Sequence, residues 1–155
     1  MIRPRCGPGA TRRCTGWCCA SEAERRETLN RLRQRGYRDV TNTDTALLAN
    51  LDTADTTISA LARRCGVTRQ AASQQLALLS QKGYVSRKPD PADSRAILVR
   101  RTAKGQALMR DALEIVAQIE AEYAGFLGAG RLAALKGLLT DLVGHADPGG
   151  TLGGD

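Results

Sequence analysis

Two short helix signals joined by a tight glycine turn, with a basic hairpin signal directly after them, constrain this chain more than any other feature. Ser59 opens the first run, Leu61 and Ala62 are spaced to face inward, and Gly66 closes it. Thr68 caps the next, whose Ala72, Leu76 and Leu79 recur at helical spacing before Lys82-Gly83 end it. Upstream, Thr41 and Asp44 cap a third short helix that carries Leu47, Leu48 and Leu51. Downstream, Tyr84 to Lys88 reads as a strand, Pro89-Asp90-Pro91-Ala92-Asp93-Ser94 as a turn cluster, and Ala96 to Arg100 as the returning strand. Helix, turn, helix and a basic hairpin in this order predict a winged helix-turn-helix.

The flanking segments predict more helix. Ser21 with Glu24 fits a capping box for a helix from about Ser21 to Arg35, stopped by Gly36. Thr102 caps a long helix reaching about Phe126, with Leu108, Ala112, Ile115, Ile119 and Tyr123 on one face. A last helix carries Leu132, Leu135, Leu139 and Leu142. Aromatic residues make up only 3% of the 155, so the core must rest on aliphatic side chains, which favours packed helices over a large sheet. The expected fold is mainly α: a winged helix-turn-helix with a two-stranded β wing and long helices forming a dimerisation lobe. Residues 1–20, rich in Cys, Arg and Gly, are expected to have little order. Residues 21–40 would form the N-terminal helix of the lobe, 41–104 the DNA-binding domain, 105–145 the C-terminal dimerisation helices and 146–155 a disordered tail.

Charge is distributed unevenly. Between Ser59 and Lys104 ten Lys or Arg face two acids, whereas from Gly105 to Asp155 three bases face seven acids. A basic middle segment usually meets polyanions, of which nucleic acid is the commonest. In a helix-turn-helix the second helix enters the major groove with its N-terminal outward residues, here Thr68, Arg69, Gln70, Ser73 and Gln74. Arg suits guanine, Gln suits adenine, and Ser or Thr can meet a base or a phosphate. The hairpin adds Arg87, Lys88, Arg95, Arg100 and Arg101, of which Arg95 lies near its tip and is the best placed to enter a minor groove. Asp93, two residues before Arg95, is expected to orient it by an ion pair, with a plain turn-forming role as the alternative. Lys104 is a further phosphate candidate.

These residues resemble the multiple-antibiotic-resistance regulator (MarR) family of bacterial transcription factors. The resemblance lies in Arg35-Gly36-Tyr37-Arg38-Asp39 through Ile58-Ser59-Ala60-Leu61-Ala62, in Gly66-Val67-Thr68-Arg69-Gln70-Ala71, in Lys82-Gly83-Tyr84-Val85, and in Asp90-Pro91-Ala92-Asp93-Ser94-Arg95 followed by Thr102 and Gly105. It covers about Arg35 to Val143. It implies a homodimer on pseudo-palindromic double-stranded DNA, acting most often as a repressor. It also implies a cleft for a small aromatic ligand whose binding releases the promoter. The chain departs from the family pattern in having Arg101 before Thr102 instead of Leu, Ser94 in the wing where a second Arg is common, and a short first helix.

Other functions find less support. The sequence has no GxGxxG, P-loop or nucleophile motif, and Glu120 and Glu122 point to different helix faces with no His or Cys partner near, so no enzyme, catalytic residue or cofactor is expected. No stretch approaches the ~20 apolar residues of a membrane span, and no secretory signal follows the N-terminal arginines; the expected location is the cytoplasm, on the nucleoid. The five cysteines, Cys6, Cys14, Cys18, Cys19 and Cys65, argue by their odd number against a disulfide framework. CxxxCC is not a zinc pattern, and no metal site is expected. A thiol- or metal-responsive regulator is one alternative, and a winged-helix module that binds protein instead of DNA is another. Cys65 is expected to act as a small buried hydrophobe.

Overall fold

A computed structural model describes residues 16–52, 54–93 and 95–146. The elements follow in the order α1 (Gly16–Gln34), α2 (Asn42–Ala49), β1 (Thr56–Thr57), α3 (Ile58–Arg64), α4 (Arg69–Gln81), β2 (Val85–Pro89), β3 (Ile97–Arg101), α5 (Ala103–Leu127) and α6 (Ala129–Ala146). This is the mainly helical winged helix-turn-helix that the sequence predicts, with one addition. The wing has three antiparallel strands in the order β1-β3-β2, because Thr56 and Thr57 pair with Val99 and Leu98. The expectations for residues 1–15 and for the tail beyond residue 146 lie outside the described residues, and Cys6 and Cys14 with them.

Local chemistry explains the helix boundaries. Thr41 and Asp44 form the expected reciprocal capping box at α2, and the hydroxyls of Thr68 and Thr102 accept the backbone N–H of Ala71 and Gly105 at 3.1 and 3.2 Å. Helix α3 is capped by Thr57 instead of Ser59: its hydroxyl accepts the Ala60 N–H at 3.2 Å. The reason is β1, which holds Thr57 extended until the helix begins at the next residue. Helix α1 starts at Gly16, five residues before the expected cap, so Ser21 lies inside it. At the end of α3, Gly66 takes φ 63° and lets the Val67 N–H reach back to the Ala62 carbonyl at 3.0 Å. Gly83 (φ 78°) repeats this after α4, where the Tyr84 N–H meets the Leu79 carbonyl at 2.9 Å.

One aliphatic core joins helices α1 to α5 with strands β2 and β3. Leu32 of α1, Leu48 of α2, Leu61 of α3, Leu76 and Leu79 of α4, Val99 of β3 and Leu108, Ile115 and Ile119 of α5 are all buried. Among the described residues Tyr84 is the one large aromatic side chain that is fully buried, and Gly105 packs so closely against it that a β-carbon there would run into the Tyr84 carbonyl. That carbonyl also accepts the Thr102 N–H at 3.0 Å, so the base of the wing and the start of α5 are locked together. On the far side of α5, ion pairs fasten α1. Arg31 reaches both oxygens of Glu122 at 2.9 Å, Arg35 meets Glu114 at 2.8 Å, and the Tyr37 hydroxyl donates to Asp111 at 2.6 Å. Among the described residues no helix is long and apolar enough to cross a membrane.

Among the described residues one charged group is fully buried. Asp44 accepts from Gln75 Nε2 at 2.6 Å, from Lys82 Nζ at 2.9 Å and from the Thr41 N–H at 3.0 Å, so a carboxylate on α2 holds α4 at two points. Burial alone would raise its pKa, but the Lys82 ammonium and the Gln75 and Thr41 donors outweigh that and hold it below the usual carboxylate range. Its stabilisation is therefore complete above the unfolded-state pKa near ~3.9 and is lost as the pH falls through the lower folded value. Asp44→Ala should cost about 3 kcal/mol in urea denaturation at pH 7 and fixed protein concentration, because it strands Lys82 and removes the cap. The gap between wild type and variant should narrow below pH ~4.

Candidate nucleic-acid interface

Burial of Ala72, Leu76 and Leu79 turns the opposite side of α4 outward. Thr68, Arg69, Gln70 and Gln74 are exposed, while Ser73 is half-buried and less accessible than its position on the helix suggests. The first turn of α4 does not stand alone. An Arg69 guanidinium nitrogen donates to the backbone carbonyl of Arg95 at 3.4 Å, so the start of α4 and the wing tip meet. Residues 26 apart in sequence thereby share one surface.

The wing tip is built by acids acting on backbone. Asp90 accepts the Ala92 N–H at 2.9 Å, and Asp93 accepts the Arg95 N–H at the same distance. The expected ion pair between Asp93 and the Arg95 side chain is absent from the described contacts; Asp93 forms the turn instead. An Asp carboxylate two residues before an amide reaches it within one turn at little entropic cost, whereas a long guanidinium would have to fold back. Arg95 is exposed, and neither its guanidinium nor exposed Arg87 takes part in an ion pair among the described residues.

Lys88 is differently placed. Its ammonium lies 2.6 Å from one oxygen of Asp55, whose other oxygen accepts from Arg100 Nε at 2.8 Å. The hydrogen bond from Lys88 holds the Asp55 carboxyl below its usual range. Asp55 escaped the sequence reading because it precedes a two-residue strand and stands 45 residues from Arg100. Lys104 has internal work as well: it donates to the Lys82 carbonyl at 2.8 Å and lies 4.2 Å from the centre of the Tyr84 ring. Arg101, which stands where the resemblance leads one to expect Leu, is half-buried. It donates to the Leu48 carbonyl at 3.4 Å, and its Nε is buried without a partner.

Two clefts flank α2. One of about 380 Å³ between α1, α2 and α5 is lined by Arg25, Thr28, Leu29, Ala46, Met109 and Val116. The other, of about 430 Å³, is bordered by Asn42, Leu47, Cys65, Val67, Ala72 and Gln75. Cys65 is half-buried against the core, and burial pushes its thiol pKa up, away from the reactive thiolate. Cys18 and Cys19 fall on α1, and among the described residues no group of His, Cys, Asp and Glu could hold a metal ion.

The sequence has no match among curated proteins. A model of the MarR family matches residues 38–96, the stretch from the end of the α1–α2 turn through the wing tip. Among solved structures, the reduced form of MarR from E. coli is 25% identical with a TM-score of 0.70, over 86% of this chain and 99% of that one. An E. coli MarR variant complexed with operator DNA is 26% identical with a TM-score of 0.67, over 82% of this chain and 90% of that one. NadR in complex with 4-hydroxyphenylacetate shares the fold at 23% identity and a TM-score of 0.61, over 87% of this chain and 96% of that one. With the helix-turn-helix and wing matched by the family model over residues 38–96 and the architecture matched in structure, the chain is similar to the winged-helix regulators of the MarR family.

Proposed function

We propose that the protein is a homodimeric repressor that binds pseudo-palindromic promoter DNA and is released by a small aromatic acid. The observation that carries the DNA-reading part is the meeting of Arg69 with the Arg95 carbonyl, which sets a major-groove helix and a minor-groove wing tip side by side. In this reading Thr68, Arg69, Gln70 and Gln74 meet base edges and phosphates, with Ser73 at the margin. Arg95 and Arg87 follow the backbone into the minor groove. Asp93 shapes the turn that presents Arg95.

The dimer is supported by apolar surface that a single copy leaves uncovered. Phe126 at the end of α5 is 88% exposed, and Leu135, Leu138 and Leu142 of α6 are exposed beside it in sequence order, whereas Leu132 and Leu139 are half-buried. An apolar set of this size on one pair of helices favours association. Two-fold symmetry would then space the recognition helices by about one helical turn, roughly 34–36 Å. The cleft between α1, α2 and α5 supports the ligand part: its wall is mostly apolar, Arg25 borders it as a cation that a ligand carboxylate would have to share with Glu22, 2.9 Å away, and α2 links it through Asp44 to α4.

Fluorescence anisotropy at near-physiological salt tests the DNA reading, with the region upstream of the protein's own gene against a scrambled duplex of equal length. A preference of ~10³-fold or more is expected, and Arg95→Ala should weaken specific binding by about tenfold. Equal affinity for both duplexes, with genomic fragments doing no better, contradicts a specific regulator. For the dimer, Phe126→Glu combined with Leu138→Glu should sediment as a monomer and lose ~100-fold or more in operator affinity; a variant that stays dimeric places the interface elsewhere.

A further inference from the structure

The outer face of the wing carries a charge arrangement that groove reading does not use. Strand β1 is paired so that Thr56 lies opposite Val99 and Thr57 opposite Leu98, which brings the preceding Asp55 alongside Arg100. Lys88 on β2 faces Leu98 across the next ladder and so reaches the same carboxylate. One acid, 21% exposed, thus counters two cations that are 59% and 51% exposed. The tip acids Asp90 and Asp93 are engaged with backbone N–H groups. The wing is therefore divided into an unopposed pair, Arg87 and Arg95, and an opposed pair, Lys88 and Arg100.

Exposed ion pairs add little to folding stability, so the placement of Asp55 has more leverage on binding than on the fold. A phosphate approaching Lys88 or Arg100 must displace the carboxylate and then tolerate its negative charge nearby. Every backbone contact strengthens binding to all sequences alike, and regulators succeed by the ratio of specific to non-specific affinity. We propose that Asp55 is a counter-charge that restrains the wing's sequence-independent grip on DNA by competing with phosphate for Lys88 and Arg100. This rests on the reading of the wing as a DNA-contacting element.

The near-isosteric Asp55→Asn variant of the full chain tests it on a scrambled duplex between 50 and 200 mM salt, concentrations at which phosphate contacts are sensitively read. The variant should bind about 5–20-fold tighter at low salt, with a log–log salt slope steeper by about 1–2, since each added phosphate contact contributes about 0.9. Adding Lys88→Ala and Arg100→Ala should abolish the gain. A structural role for Asp55 would give weaker binding, so unchanged or weakened binding by a variant with wild-type circular dichroism overturns the proposal. If Asp55→Asn does not fold, Lys88→Gln with Arg100→Gln in the otherwise native chain decides. A loss below about threefold is expected, and a loss equal to that of Arg87→Ala with Arg95→Ala overturns it. Wild-type protein that binds neither duplex sinks the DNA reading itself. Elution from immobilised heparin then still reads the counter-charge, with later elution of Asp55→Asn supporting it and co-elution overturning it.

Discussion

The buried carboxylate of Asp44 is the interaction on which the outward surface of α4 depends. It joins the start of α2 to the middle and end of α4 through Gln75 and Lys82, and no solvent reaches it. Aliphatic packing alone would leave α4 free to slide and rotate by small amounts, because dispersion contacts have little directionality. Two short charge-assisted hydrogen bonds set its rotation, and with it which residues face outward. Lys82 extends the constraint by donating also to the Asp39 carbonyl, while the Tyr84 hydroxyl donates to the Asp39 carboxylate. Helix α4 is thus tied at its C-terminal end to the α1–α2 turn and at its N-terminal end, through Arg69, to the wing.

Much of this architecture is legible in the sequence because it depends on local rules. Thr41, Thr68 and Thr102 mark helix starts by side-chain chemistry that acts over three residues, and Gly36, Gly66 and Gly83 mark ends by a backbone conformation that β-carbons disfavour. The hairpin is announced by a turn cluster between two alternating runs. What stays hidden depends on distant partners. Ser59 and Thr57 are equally good caps until β1 is known to pair with β3, and a two-residue strand has no periodicity to detect. Asp55 reads as a loop acid until pairing brings Arg100 and Lys88 to it. Asp93 offered two roles, and the choice fell to the nearer amide. The early start of α1 was missed because Gly16-Trp17-Cys18-Cys19-Ala20 shows no apolar period of its own.

The candidate interface is also less uniformly basic than a count of Lys and Arg suggests. Lys82, Lys104 and Arg101 are engaged by carbonyls, a buried carboxylate or an aromatic face, so they hold the wing and the helix-turn-helix in place. Lys88 and Arg100 share Asp55. Among the described residues Arg87 and Arg95 remain as wing cations without an ion pair, at the hairpin and its tip. An interface of this kind would take its affinity from a few well-placed contacts and less from a diffuse field, which favours discrimination among sequences.

Hydroxyl-radical footprinting of the wild-type protein on its upstream DNA tests the central claim most directly, that the α4 N-terminus and the wing tip form one reading surface. The account predicts two half-sites about one helical turn apart, each flanked by a protected minor-groove patch. In Arg95→Ala the flanking patches should vanish while the inner protection remains. Flanking protection that survives the loss of Arg95, or a footprint without two-fold symmetry, would contradict it.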